Sequence, residues 1–119
     1  TVETPLDLIA DLKAAVGPDR CVLVDCLTLW LSNLMAAGRD VEAELAALTR
    51  ALPKLTGSAV LVANEVGLGI VPENALARRF HDFAGHLNQA AAEAAQSVVF
   101  VTAGLPMHLK TPAVVENST

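Results

Sequence analysis

Three short apolar runs alternate with helical patterns along the 119 residues of this chain. The runs cover residues 21–25, 59–63 and 97–102, and the first of them ends on Asp25. Continuous apolar runs of this length are typical of strands buried on both faces of a parallel sheet. Because helices separate the strands, the connections are expected to be right-handed crossovers. The pattern therefore predicts an α/β fold with a mostly parallel sheet flanked by helices.

Apolar residues at helical spacing predict four helices around these strands. The helices are expected at about residues 5–16, 27–38, 41–52 and 73–96. We expect one domain over residues 1–110 and a loosely ordered tail over residues 111–119, which has no clear period and ends in polar residues. Three strands are fewer than the roughly four to six of a usual sheet, so the domain is predicted to be partial.

Composition excludes several classes of protein. The net charge is -5, and the 8 lysines and arginines do not gather into a basic stripe, which argues against nucleic-acid binding. No apolar run approaches the roughly 20 residues of a membrane span, and no signal pattern opens the chain, so we expect a cytoplasmic protein. Cys21 and Cys26 have no histidine partners at metal-ligand spacing and are expected to be buried free thiols.

Asp25 stands where a Walker B acid would stand, at the end of an apolar strand. A carboxylate there can hold Mg²⁺, directly or through water, against nucleotide phosphates. The same position also suits the N-cap of the helix that begins near Leu27. The sequence leaves both alternatives open.

The turn after the second strand joins polar residues to glycines. Asn64 and Glu65 are followed by Gly67 and Gly69, which allow positive φ angles beside the polar side chains. Glu65 could act as an acid or base or hold a metal through water, and Asn64 could orient a hydroxyl or a phosphate. A purely structural loop is the alternative. If this turn is functional, parallel pairing predicts that it converges with Asp25 on one phosphorylated ligand.

The predicted last helix carries a second stripe of residues beside its apolar one. Arg78, His81, Gly85 and Asn88 recur at i, i+3, i+7 and i+10. A glycine inside a helix costs about 1 kcal/mol relative to alanine, so the stripe suggests close approach of a ligand or another subunit. A solvated face with an Arg78–Asp82 pair is the alternative. The core-facing stripe is predicted at Leu76, Phe80, Phe83, Leu87, Ala90, Ala91 and Ala94.

Together these segments resemble the bifunctional adenosylcobinamide kinase / adenosylcobinamide-phosphate guanylyltransferases of cobalamin nucleotide-loop assembly. The resemblance rests on Thr1-Val2-Glu3, on residues 22–28 with Asn33-Leu34, and above all on residues 64–88. It covers nearly everything from Thr1 to Lys110.

The resemblance implies a P-loop NTPase-like (RecA-like) fold and a homotrimer. It implies phosphorylation of the aminopropanol hydroxyl of adenosylcobinamide with ATP or GTP, and then transfer of GMP from GTP through a guanylylated histidine. By the same resemblance, Glu3 and Asp25 bind nucleotide, and Asp25 holds Mg²⁺. The substrate-site candidates are Asn64, Glu65, Gly67, Gly69, Arg78 and Asn88.

The sequence departs from the family pattern at its beginning. The family's glycine-rich phosphate loop and its nucleophilic histidine lie upstream of the part matched by Thr1-Val2-Glu3. This sequence contains no G-x-x-x-x-G-K-[ST], and none of its three histidines takes the nucleophile's place. We therefore expect a C-terminal portion that lacks the P-loop strand and the catalytic histidine and is inactive by itself. The alternative is a non-catalytic α/β fragment acting as a subunit-interaction or corrinoid-binding module.

Overall fold

The computed structural model describes residues 1–65 and 74–112. The four helices and the first three strands follow the predicted order, with ends that differ by a few residues, and a fourth strand that was not predicted follows them. The helices are α1 (Leu8–Ala15), α2 (Leu27–Ala36), α3 (Val41–Ala51), which continues into a 3₁₀ turn (Leu52–Lys54), and α4 (Ala75–Ala94). The strands are β1 (Cys21–Asp25), β2 (Ser58–Val62), β3 (Val98–Thr102) and β4 (Leu105–Lys110).

A parallel pair of strands sets the layout of the chain. β1 and β2 run side by side from the pair Cys21 and Ser58 to the pair Asp25 and Val62, with α2 and α3 forming the connection between them. The carboxyl ends of both strands therefore lie at one edge of the sheet. The predicted α/β class, a parallel sheet flanked by helices, is confirmed.

The prediction of a third parallel strand is wrong. β3 pairs with β4 in an antiparallel hairpin, which forms a second two-stranded sheet. Two residues, Ala103 and Gly104, link the strands, and both have positive φ angles (51° and 74°). Such a turn matches the twist of a tight hairpin. The hairpin was not predicted from the sequence because Ala-Gly is a weak turn signal and Pro106 is unusual inside a strand.

The hairpin is fastened to the helix that precedes it. The Lys110 ammonium, at the end of β4, donates hydrogen bonds to the main-chain oxygens of Ala92 (3.1 Å) and Glu93 (2.9 Å). These are carbonyls of the last turn of α4, which lack partners within the helix. The lysine thereby joins the end of the second sheet to the end of α4.

The hydrophobic core lies between one face of the β1–β2 sheet and the helices. Leu31 and Leu34 of α2 are completely buried there. α4 packs against α2 and α3 and contributes Ala84 and Leu87 to the same core. The buried cluster consists of Leu8, Leu12, Val24, Leu27, Trp30, Leu31, Leu34, Val41, Leu45, Leu48, Ala84 and Leu87.

The other face of the β1–β2 sheet is exposed, which contradicts the predicted burial of β1 on both faces. Along β1, Val24 is buried whereas Leu23 is 65% exposed, and Val60 of β2 is exposed on its strand. The expectation of buried thiols is also wrong, because Cys21 is exposed and Cys26 is half-buried, although both are free.

Leu76 was predicted in the core stripe of α4 but is 62% exposed. Phe80, Phe83 and Ala91 of that stripe do pack against the buried cluster. Within the described ranges, no helix combines the length and the apolar character that crossing a bilayer requires.

Candidate functional site

The carboxyl end of β1 leads directly into α2. Asp25 is exposed there, and its peptide bond to Cys26 is cis. The N-cap of α2 is Cys26, whose Sγ accepts a hydrogen bond from the main-chain N–H of Leu29 at 3.4 Å. The helix cap is therefore supplied by the thiol. This excludes the alternative in which Asp25 is present to cap the helix.

Two helices bind the main chain just beyond the end of β2. The N–H of Asn64 donates to Oγ1 of Thr28 in α2 at 2.8 Å. The carbonyl of Asn64 accepts from Nδ2 of Asn88 in α4 at 3.1 Å. Asn64 follows Val62, the pairing partner of Asp25, by two residues. The structure thus brings residues from α2, α4 and the turn after β2 together at the edge where β1 ends.

Asn64, Glu65 and Asp25 share the carboxyl edge of the parallel pair. Glu65 is exposed directly after Asn64. Parallel pairing places the main chain of both acids at this edge rather than at opposite ends of the sheet. Gly67 and Gly69 lie outside the described residues.

The two predicted site residues of α4 are separated along the helix. Asn88 follows Arg78 by ten positions, which corresponds to about 15 Å of helix. Asn88 reaches Asn64, whereas Arg78 is exposed in the N-terminal part of α4. The structure therefore groups Asn88 with the carboxyl edge and leaves Arg78 about three turns away.

The stripe between Arg78 and Asn88 faces a shallow recess. The recess has a volume of about 310 Å³ and is lined by His81, Asp82, Gly85, His86 and Gln89. A Cβ atom added at Gly85 would meet nothing within 4 Å, so packing inside the described chain does not require this glycine. Among the described residues, no group of three or more His, Cys, Asp or Glu side chains could hold a metal ion.

Glu3 lies in the segment before α1. A hydrogen bond from a tryptophan holds this segment against α2. Nε1 of Trp30, in α2, donates to the main-chain oxygen of Leu6 at 2.9 Å. Glu3 itself is exposed. Sequence reasoning placed Trp30 only in an apolar stripe. The available signal was that a buried indole N–H usually needs an acceptor.

Thr28 is the residue at this edge that sequence reasoning did not assign. Its apolar neighbours in α2 suggested a packing surface. The available signal was its position three residues after a strand-ending acid, in the first turn of a helix that starts at the sheet edge. The hydroxyl accepts a hydrogen bond from the turn after β2, and only the tertiary structure shows this contact.

Comparison with known proteins agrees with the resemblance drawn from the sequence. Residues 1–109 match the family model described as cobinamide kinase / cobinamide phosphate guanyltransferase. The chain is 49% identical over 112 residues to the bifunctional adenosylcobalamin biosynthesis protein CobP of Pseudomonas aeruginosa, and the match covers 92% of this chain and 65% of that protein. It is 37% identical over 114 residues to CobU of Salmonella typhimurium, covering 83% of this chain and 63% of that protein.

CobU of Escherichia coli is 36% identical over 125 residues, covering 92% of this chain and 69% of that protein. The chain thus spans about two thirds of the length of these relatives. The family match extends from the segment that contains Glu3 to residue 109, in β4. It includes the whole carboxyl edge described above. The chain belongs to the cobinamide kinase / cobinamide phosphate guanyltransferase family.

Proposed function

We propose that the protein acts in cobalamin nucleotide-loop assembly, where it phosphorylates adenosylcobinamide and transfers GMP from GTP to the product. One observation carries this proposal: the Asp25 carboxylate is exposed at the same sheet edge as Asn64. Asp25 does not cap α2, because Cys26 does. Membership of the family supports the reaction class. In the first reaction the substrate hydroxyl oxygen bonds to the γ-phosphorus of ATP or GTP, the bond to the nucleoside diphosphate breaks, and the hydroxyl proton is released. In the second, the α-phosphorus of GTP becomes bonded to a phosphate oxygen of adenosylcobinamide phosphate, and pyrophosphate leaves.

Asp25 would hold Mg²⁺, directly or through water. Mg²⁺ usually keeps several waters and binds one or two carboxylates together with substrate phosphates. The single exposed carboxylate at the end of β1 fits such a shared site, in which nucleotide phosphates and waters would supply the other ligands. When bound, the ion would neutralise charge on the nucleotide phosphates.

The turn after β2 would bind the group that reacts. We assign Asn64 to orienting the substrate hydroxyl or a phosphate oxygen, and Glu65 to proton transfer or to a water-mediated metal contact. Glu3 is assigned to the nucleotide by resemblance. Arg78, Gly67 and Gly69 remain proposed substrate-site residues. No position of this sequence is assigned to the histidine that carries GMP.

We propose a homotrimer, in keeping with the resemblance. Exposed apolar side chains such as Leu23 and Val60 on the outer face of the β1–β2 sheet support association with further protein surface. The molar mass of the full-length natural protein, measured by light scattering during size-exclusion chromatography, tests this proposal. A monomeric mass at micromolar concentration would contradict it.

The function is tested by incubating the full-length natural protein with adenosylcobinamide and either γ-labelled or α-labelled GTP. We expect label from the γ-phosphate in adenosylcobinamide phosphate, and label from the α-phosphate in the GDP-linked corrinoid. Reactions without corrinoid are the control. Corrinoid binding without either labelled product would instead favour the binding-module alternative.

A further inference from the structure

We infer that Thr28 and Asn88 are positioning residues that together fix the Asn64–Glu65 turn beside Asp25. This inference deepens the proposed function and rests on it. The two side chains come from different helices and bind the same residue, one at its N–H and the other at its carbonyl.

The geometry determines the direction of the turn. The N–H of Asn64 belongs to the peptide plane before its Cα atom, and the carbonyl belongs to the plane after it. Because each plane is rigid, holding both planes restrains φ and ψ of Asn64. Those two angles determine where the Asn64 side chain points and where Glu65 follows.

Strand pairing does not supply this restraint. The parallel ladder ends with the pair Asp25 and Val62, so Asn64 lies beyond it. Its main-chain groups would otherwise be satisfied by water. The 2.8 Å bond to Thr28 and the 3.1 Å bond from Asn88 hold the main chain in place two residues beyond the end of β2.

The helices that provide these side chains are firmly anchored. α2 is held by Leu31 and Leu34, both completely buried, and α4 by Leu87, which is 1% exposed. The two hydrogen bonds themselves lie in exposed surroundings. Removing one of them should therefore loosen the turn without unfolding the core.

Asn88 consequently acts through Asn64. The sequence suggested that Asn88 contacts substrate, but its side-chain amide donates to the main chain of the turn. Of these three residues, Asn64 is the one left to contact substrate, together with Glu65 beside it. Thr28 has the same indirect role, since its hydroxyl oxygen accepts from the turn.

Substitutions that keep the shape and remove the bond test this inference in the full-length protein. Thr28→Val removes the acceptor and Asn88→Asp removes the donor, whereas Thr28→Ser keeps the hydroxyl. Two matched controls are available on the same helices. Ser32→Ala removes an exposed hydroxyl from α2, and Gln89→Glu makes the same amide-to-acid change next to Asn88.

Amide hydrogen exchange without any ligand gives the first readout. We expect the Asn64 amide to exchange about fivefold faster in Thr28→Val, as the loss of one exposed hydrogen bond implies, and faster in Asn88→Asp as well. Thr28→Ser and both controls should keep the wild-type rate. Unchanged exchange in Thr28→Val and Asn88→Asp would overturn the inference.

Kinetics give the second readout. We expect kcat to fall in Thr28→Val and Asn88→Asp with little change in KM, and to be restored in Thr28→Ser. The double variant should lose less than the product of the two single losses, because both act through Asn64. Faster exchange with wild-type kcat would show that the turn is held but has no part in the reaction, which overturns the positioning role.

Failure of the proposed function can be recognised separately. If the wild-type protein forms neither labelled corrinoid product, the proposed function fails, and the catalytic part of this inference fails with it. The exchange rates still decide whether Thr28 and Asn88 hold the turn. Thermal unfolding of each variant shows whether the fold has been kept.

Discussion

Replacing Asp25 with asparagine separates the proposed metal role from the fold. Asp25 is exposed, the cap of α2 is Cys26, and Asp25 forms no ion pair within the described residues. Exposed substitutions away from caps and buried networks usually change stability by less than about 0.5 kcal/mol. We therefore expect Asp25→Asn to leave the free energy of unfolding almost unchanged.

The effect on catalysis should be much larger. In the proposed site Asp25 supplies the carboxylate at the end of β1, and Glu65 at the same edge is assigned only to proton transfer or to a metal contact through water. If the carboxylate supplies about 3 kcal/mol of charge stabilisation through the ion, its loss lowers kcat/KM by roughly a hundredfold. The requirement for Mg²⁺ should also shift to higher concentration, because a neutral amide is a weaker ligand for a hard cation.

The assay is a Mg²⁺ titration of corrinoid phosphorylation by the full-length protein. Asp19→Asn is the matched control, because Asp19 is an exposed acid before the amino end of β1, about 13 Å or more from the carboxyl edge. We expect wild-type kinetics from the control. Wild-type kcat/KM in Asp25→Asn across the titration would refute the metal role.

Three further predictions concern other parts of the chain. Trp30→Phe should lower the free energy of unfolding by about 1–3 kcal/mol and speed amide exchange before α1, because Leu6 loses its hydrogen-bond donor. Gly85→Ala should raise the unfolding free energy by about 0.5–1 kcal/mol in chemical denaturation, since a Cβ there meets nothing; destabilisation would contradict this. The isolated 119-residue chain should retain no GTP-derived label after denaturation, because it contains no G-x-x-x-x-G-K-[ST] motif and none of its three histidines takes the place of the nucleophile that carries GMP. A denaturation-resistant label would reverse that expectation.

The order of helices and strands could be predicted because apolar periodicity is a local property. The apolar run ending at Asp25 and the run before Asn64 are both strands, and the helical pattern between them forms the crossover. Parallel pairing then places both strand ends at one edge, whatever the details of packing. The location of the candidate site at this edge could therefore be predicted from the sequence.

The sequence could not decide between neighbouring residues that compete for one role. Asp25 and Cys26 are adjacent at the start of α2, and either side chain could have capped the helix. The path of the main chain out of β1 assigns the cap to the thiol. β3 was predicted as a third parallel strand, but the two-residue turn at Ala103 and Gly104 pairs it with the unpredicted β4.

Patterning along this chain determined the four helices and the first three strands, and the edge of the sheet at which the polar ends of β1 and β2 meet. The tertiary structure alone decided that Thr28 and Asn88 bind Asn64, residues that are 36 and 24 positions away. The physical reason is that periodicity reports whether a side chain faces the core, whereas a hydrogen bond depends on how separate elements are placed within a few ångströms of each other.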